Sequence, residues 1–220
     1  MTFEELVQQR RSIRGFYPDR PVDEEVIREV LALSQRSPSN CNVQPWRVWI
    51  LSGAARDAFS AAMCARLDAG DFGDPEDPID TFPDDYRRLQ IECGVEMYSK
   101  MGVERGDQAG RFRAHRRNYE LFDAPHVAVV GMEKHFGLGV ALDVGTWLQT
   151  FMLGLVKHGL GSCPQAALRH YPDIVREHTG MPESMRVLCG ISFGYEDPRV
   201  DANAVRQRRE PLTNNVTFLR

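Results

Sequence analysis

A single domain in which helices surround one sheet is what the sequence predicts, and three observations carry that reading. The 220-residue chain is 42% hydrophobic and 26% charged, with 18 Gly and 13 Pro, which suits a folded domain with one substantial core. Three short runs rich in β-branched or aromatic residues, at 46–51 (WRVWIL), 126–132 (HVAVVGM) and 187–193 (VLCGISF), read as strands separated by segments of helical periodicity. The part before residue 70 offers only one strand among its helices, so that strand must join a sheet completed later in the chain.

In order along the chain, Thr2 and Glu5 form a capping-box pattern, so a helix starts at the N-terminus and ends near Arg10. Asp23 caps a second helix, with Val26, Ile27, Val30, Leu31 and Leu33 at helical spacing, which stops before Pro38. The first strand follows Pro45 and gives way, at Ser52-Gly53, to a helix over 54–69. Residues 70–83 (GDFGDPEDPIDTFP) mix acids, prolines and glycines that no regular element tolerates, and read as an exposed connection. A helix over 86–104 comes next, then a basic stretch at 105–117 whose conformation the pattern leaves open. After the second strand, apolar residues at 144, 147, 148, 151, 152, 155 and 156 make a wide helical stripe within 140–158, ended by Gly159 and Gly161. From 196 onward the chain is polar and arginine-rich until Val216-Thr217-Phe218-Leu219. Such a tail has no core of its own, and its last residues are expected to add a strand to a sheet edge, that of another subunit included.

Charge and cysteine usage exclude several functions. With 27 Lys+Arg against 31 Asp+Glu the net charge is −4, so there is no broad positive field for a nucleic-acid backbone. The five cysteines, at 41, 64, 93, 163 and 189, form no C-x-x-C pair, which argues against a disulfide framework or a Cys-based zinc site and for a reducing compartment. The acid-bearing N-terminus does not look like a signal peptide, and a cytoplasmic location is expected. The apolar stretch 136–156 reads as a core helix, because in a bilayer Asp143 and Gln149 would cost several kcal/mol. No histidine spacing suits a metal, and neither G-x-S-x-G nor a Walker A pattern occurs. Gly137-x-Gly139 lacks both a third glycine and a preceding strand, so it is no dinucleotide fingerprint.

Three segments concentrate binding chemistry. RRSIR at 10–14 sets guanidiniums and a hydroxyl beside a helix end, a combination suited to phosphate; a solvated basic helix terminus is the alternative. SPSNCNVQPW at 37–46 offers amides that can meet the donor–acceptor edge of a planar heterocycle, or can simply cap a turn. GLGSCPQAAL at 159–168 lets backbone N–H groups approach a ligand, with Cys163 as a packing or wall residue, since no His or Asn is placed to activate it.

Taken with RRNYELFDAP at 116–125, DVGTWLQTFML at 143–153 and RREPL at 208–212, these segments resemble the FMN-dependent nitroreductase family over nearly the whole chain. The resemblance implies an α+β fold with a central, mostly antiparallel sheet surrounded by helices. It also implies a homodimer that exchanges its C-terminal strand and builds each flavin site from both chains. On that resemblance Arg10 and Ser12, with Arg11 beside them, meet the FMN phosphate and ribityl chain, and Arg14 lies at the N1/O2 edge, where a cation stabilises the reduced ring. Pro38, Ser39, Asn40 and Asn42 come from the other subunit. Cys163, Pro164, Gln165 and Ala166 form the wall at N5, and Arg209, with Gln207, clamps the phosphate. Where some members place a lysine over the ring, this chain has Arg117, Asn118 and Glu120, with Asn118 or Arg117 in its place; Gln207 also stands where a lysine is sometimes found.

The implied protein is one FMN-binding domain over 1–220, with 70–116 as an insertion covering the active site and 196–220 as a dimer-embracing tail. The insertion's aromatics, Phe72, Phe82, Tyr86, Tyr98 and Phe112, either stack on a flat substrate or pack ordinarily. The implied activity passes hydride from NADH or NADPH through FMN to a small nitroaromatic or quinone-like acceptor by ping-pong chemistry. Flavin N5 performs the chemistry, so no catalytic side chain and no metal is needed. Another reduced-flavin reaction, or flavin binding without turnover, is the alternative. No nucleic acid and no membrane is expected as a partner.

Overall fold

The computed structural model describes residues 1–77 and 81–220; residues 78–80 of the expected 70–83 connection lie outside the described residues. Capping chemistry starts the first helices where the sequence places them. The Thr2 hydroxyl accepts the Glu5 N–H and the Glu5 carboxylate accepts the Thr2 N–H, so α1 runs Phe3–Gln9 with Arg10 as its C-cap. Asp23 likewise accepts the Glu25 N–H and opens α2, Glu24–Ser34. Then follow β1 (Arg47–Ser52), α3 (Gly53–Asp68), α4 (Asp84–Lys100), α5 (Gln108–Arg116), β2 (His126–Glu133) and α6 (Leu138–Lys157). The chain ends with β3 (Gly161–Gln165), α7 (Pro172–Thr179), β4 (Met185–Gly194) and α8 (Leu212–Asn215). The basic stretch left open by its pattern is thus helical, as α5.

The four strands form one sheet in the order β1-β2-β4-β3, every pair antiparallel. β2 is buried from His126 to Met132 because both sheet faces are covered. Val127 and Val129 pack on Phe59, Met63 and Leu67 of α3 and Val175 of α7, whereas Ala128 and Val130 pack on Val30 of α2 and on Trp147, Phe151 and Leu155 of α6. The period-2 alternation of one strand therefore joins two cores in a three-layer arrangement. α6 is the one described helix long and apolar enough to cross a bilayer, by length and composition. Here its apolar stripe faces the sheet, as expected of a core helix.

Three elements lie outside the sequence expectation: β3, α7 and the short α8 in the tail. β3 has no β-branched residue and contains Pro164; it is tolerated because β3 is an edge strand, paired along its length with β4 alone. α7 is short, starts on Pro172 at its first position and ends at Gly180 in the left-handed region, φ 69°. The tail also differs: residues 216–219 form no strand with this chain's own sheet, and Phe218 and Leu219 are exposed.

Buried His126 ties the loop before α2 to the start of α3. Its Nε2 accepts the Val22 N–H at 2.9 Å, so Nδ1 carries the proton and donates to the Ser52 hydroxyl at 2.5 Å. Burial holds its pKa below the ordinary 6.5. Between the two values the unfolded chain binds a proton that the folded one refuses, so stability is full above about pH 6.5 and falls as the pH drops through that window. Urea midpoints are expected to decline below pH 6.5 with a slope of at most about 1.4 kcal/mol per pH unit from this group, and His126→Gln should flatten the decline. An unchanged pH slope in the variant would remove His126 from the account.

Candidate anion and cofactor site

Directly after α1 the chain becomes extended and is sewn between two neighbours. The Ile13 N–H donates to Ser162 O of β3 at 2.9 Å, Ser12 bridges Ser162, and Phe16 and Tyr17 pair with Glu196 and Tyr195 beyond β4. Arg10, Ser12 and Arg14 are thereby fixed at one wall of a cavity of about 1320 Å³. Gln207 and Arg209 of the tail line the same cavity, and α4 closes another side with Arg88, Glu92, Cys93 and Glu96. With Arg11, which also lines it, the cavity gathers six expected residues from two segments nearly two hundred positions apart in sequence.

The cationic side chains in this cavity divide into two kinds. Arg11 lines it, but its Nη2 bonds both carboxylate oxygens of Glu196 at 2.5 Å and its Nη1 donates to Asn203 O at 2.8 Å, so its fork is taken by the fold. Arg88 is likewise paired, with Glu92 and Glu210. Arg10, Arg14 and Arg209, by contrast, have no carboxylate partner among the described residues. Arg209 donates only to the carbonyls of Gln207 and Arg208, and Arg14 only to Ser12 O. Partial burial, and then the charge of Arg209, push the Arg10 guanidinium below its ordinary pKa. Two guanidiniums that feel one another without a carboxylate partner are a standing electrostatic cost, and an anion bound to both would reverse its sign.

Asn118 and residues 163–166 do not line this cavity; on β3, Cys163 is 3% exposed, and burial raises its thiol to about 11 despite the nearby Arg14 charge. It is a protonated packing residue, not a nucleophile. Pro164 and Ala166 are exposed on either side of buried Gln165. The Gln165 side chain is spent internally: Nε2 donates to Asn118 O at 2.7 Å and Oε1 accepts the Ser192 hydroxyl at 2.5 Å. Any ligand contact from Gln165 must therefore come from its backbone. Asn118 donates its amide to His115 O and is held next to a left-handed turn in which Leu121, Phe122 and Asp123 have φ of 57°, 55° and 64°. That turn costs about 1–2 kcal/mol per residue. Arg117, forked onto Asp123, and Arg56, which donates to the carbonyls of Glu120 and Ala124, hold it in place.

Residues 38–42 lie elsewhere and do not line the cavity. Thr146 of α6 donates to Pro38 O at 3.1 Å, Asp143 accepts the Asn40 N–H at 3.0 Å, and the Ser39 hydroxyl accepts the Gln44 N–H. Asn40 and Asn42 are exposed, and Cys41, Asn42 and Gln44 have positive φ, a strained loop of the kind that collects at ligand sites. Within one chain these amides stay apart from the arginines. Sequence reading missed Asn203, Glu196 and the polar residues of α4. The tail and the 84–100 segment carry no local pattern that points at a site, so only the long-range contacts reveal them.

An antiparallel α+β sheet with an extended arginine segment laid beside its edge strand defines a class of fold, and comparison with known proteins agrees with it. The chain matches the Nitroreductase family over residues 7–195 and belongs to that family. It is 36% identical to nitroreductase NfnB of Mycolicibacterium smegmatis over 99% of this chain and 92% of the relative. It is also 33% identical to a 4-nitrobenzoate reductase of Nocardioides sp. over 99% and 90%. The crystal structure of the FMN-dependent nitroreductase NfnB from Mycobacterium smegmatis in complex with NADPH superposes with a TM-score of 0.94, at 35% identity and covering 99% of this chain and 97% of that one.

Proposed function

We propose that the protein is an FMN-dependent oxidoreductase that passes reducing equivalents from NAD(P)H to a nitroaromatic or quinone-like acceptor. The observation that carries this reading is the pair Arg10 and Arg209, two guanidiniums without carboxylate partners among the described residues that line one cavity large enough for a flavin. The donor set fits FMN. Arg10 and Arg209 would hold the phosphate, Ser12 would donate to the chain that bears it, and the buried Ser162 hydroxyl beside Ser12 has no partner among the described residues. When bound, FMN supplies the electron transfer, taking two electrons from NAD(P)H and giving them to the acceptor in a second half-reaction. Arg14 would keep a positive charge next to the ring edge that becomes anionic on reduction, raising its potential, and exposed Pro164 and Ala166 would form the wall against which the flat ligand rests.

A homodimer accounts for what one chain leaves unfinished. α4 has no buried residue along its 17 positions and exposes Tyr86, Ile91 and Val95, while Phe218 and Leu219 of the tail are exposed and apolar. In this reading a second copy covers these surfaces and presents its residues 38–42 to the flavin, the 70–116 segment covers the acceptor site, and residues 196–220 embrace the partner. Five free cysteines accord with a cytoplasmic setting.

The test is reconstitution. Flavin-free protein is expected to take up FMN and turn yellow, to bleach anaerobically with NADH or NADPH, and to recolour on addition of 4-nitrobenzoate or a quinone. Flavin uptake without bleaching would reduce the protein to a carrier, and no uptake of FMN would end the flavin reading.

A further inference from the structure

Arg10 and Arg209 line the same cavity and their like charges repel, so the contacts that hold the segment 10–15 against the tail bear on both. Asn203 stands between the two. It is 3% exposed and spends every hydrogen-bonding group it has. Its Oδ1 accepts the Arg14 N–H at 2.6 Å, and its Nδ2 donates to Gly15 O at 2.8 Å and to Asp197 O at 2.9 Å. Its own N–H donates to Val200 O at 2.8 Å. Its carbonyl accepts Nη1 of Arg11 and Nη1 of Arg206, each at 2.8 Å. One residue thus grips the arginine segment on one side and, through Arg206, the start of the tail that carries Arg209 on the other.

Two independent features show how closely these segments are joined. A Cβ on Gly15 would come within 2.5 Å of the Val200 side chain, so position 15 has no room for a methyl group unless the 197–203 segment retreats. The Arg11 fork on Glu196 fastens the same two segments a few residues away.

We propose that Asn203 is a positioning residue for the anion cradle: it holds the segment that carries Arg10 and the tail that carries Arg209 together at one cavity, against the repulsion of the two guanidiniums. Asn203 itself is buried behind the arginines and does not line the cavity. The inference rests on the FMN reading and extends it to a residue that touches no ligand. Its consequence is selective. Loosening Asn203 lets the guanidiniums separate, which weakens recognition of a phosphate, whereas oxidised riboflavin, with the same neutral ring and no phosphate, is held by the wall alone.

The full-length, flavin-free chain is titrated with FMN and, separately, with riboflavin, following flavin fluorescence. Asn203→Ala is expected to weaken FMN roughly tenfold or more while riboflavin affinity changes by less than about threefold. Equal losses for the two flavins would make Asn203 a merely structural residue, and an unchanged FMN affinity would overturn the proposal directly. Should Asn203→Ala fail to fold, Glu196→Gln leaves Asn203 in place and relaxes the neighbouring Arg11 clasp. It carries the same expectation at roughly threefold, FMN only, and an absent or equal effect on the two flavins there also overturns it. Wild-type protein that takes up riboflavin as tightly as FMN overturns the phosphate cradle. Wild-type protein that takes up neither defeats the flavin reading, and this proposal with it.

Discussion

Arg209→Ala is expected to weaken FMN binding by about ten- to a hundredfold, because a hydrogen bond to a charged group is worth about 1.5–3 kcal/mol. Arg10→Ala should cost a similar amount. The flavin-free proteins should respond in the opposite sense. Each substitution removes one member of a repelling pair, Arg10 and Arg209, that no carboxylate among the described residues compensates. The unliganded variants are therefore expected to melt no lower than wild type, and slightly higher at low salt, where screening is weakest. The double variant should lose less affinity than the two single losses combined, since the relief of repulsion that an anion brings is already lost with the first substitution and cannot be lost twice. Fluorescence titration and thermal melts of the same four proteins decide it. Unchanged FMN affinity in both single variants would show that the phosphate lies elsewhere.

How far the sequence leads to this site depends on where its parts lie along the chain. Arg10, Ser12 and Arg14 are legible because they are contiguous and follow a helix whose capping box can be read at Thr2 and Glu5. Arg209 stands in a tail without periodicity and enters only through resemblance to a family. Asn203 is invisible in sequence, since its partners at 11, 14 and 15 are nearly two hundred residues away. The same distinction divides the fold. β1, β2 and β4 are recognised by their apolar runs, but β3 is an edge strand held by β4 and by the Ile13 N–H on Ser162 O, and carries a proline that a local rule counts against it. The proposed roles differ in kind as well. Gln165 is expected at the flavin wall, yet its side chain joins Asn118 to Ser192, so its part there falls to the backbone between exposed Pro164 and Ala166.

The largest loss of stability is expected from Trp147→Ala. Trp147 is 0% exposed, stacks on Phe151 at 5.0 Å with the rings 11° apart, and Phe151 meets Phe193 of β4 edge-on at 5.6 Å. This aromatic column fastens α6 to the sheet, and removing its largest ring, at the α6 end, should cost about 3–5 kcal/mol, a large part of the 5–15 kcal/mol that stabilises a typical domain. Trp147→Phe should cost well under half of that. It keeps most of the stack and also removes the indole N–H, which is buried without a partner among the described residues. The loss should reach function through the other side of the same helix. There Asp143 and Thr146 hold Asn40 and Pro38, and Thr150 accepts the Ser37 hydroxyl at 3.0 Å. A helix that shifts toward an emptied core draws its Asp143 and Thr146 away from the amide loop. Trp147→Ala is thus expected to lower the urea midpoint and to weaken FMN uptake at concentrations of denaturant that leave wild type folded. A cost below about 1 kcal/mol would mean that the core collapses onto the cavity without moving α6.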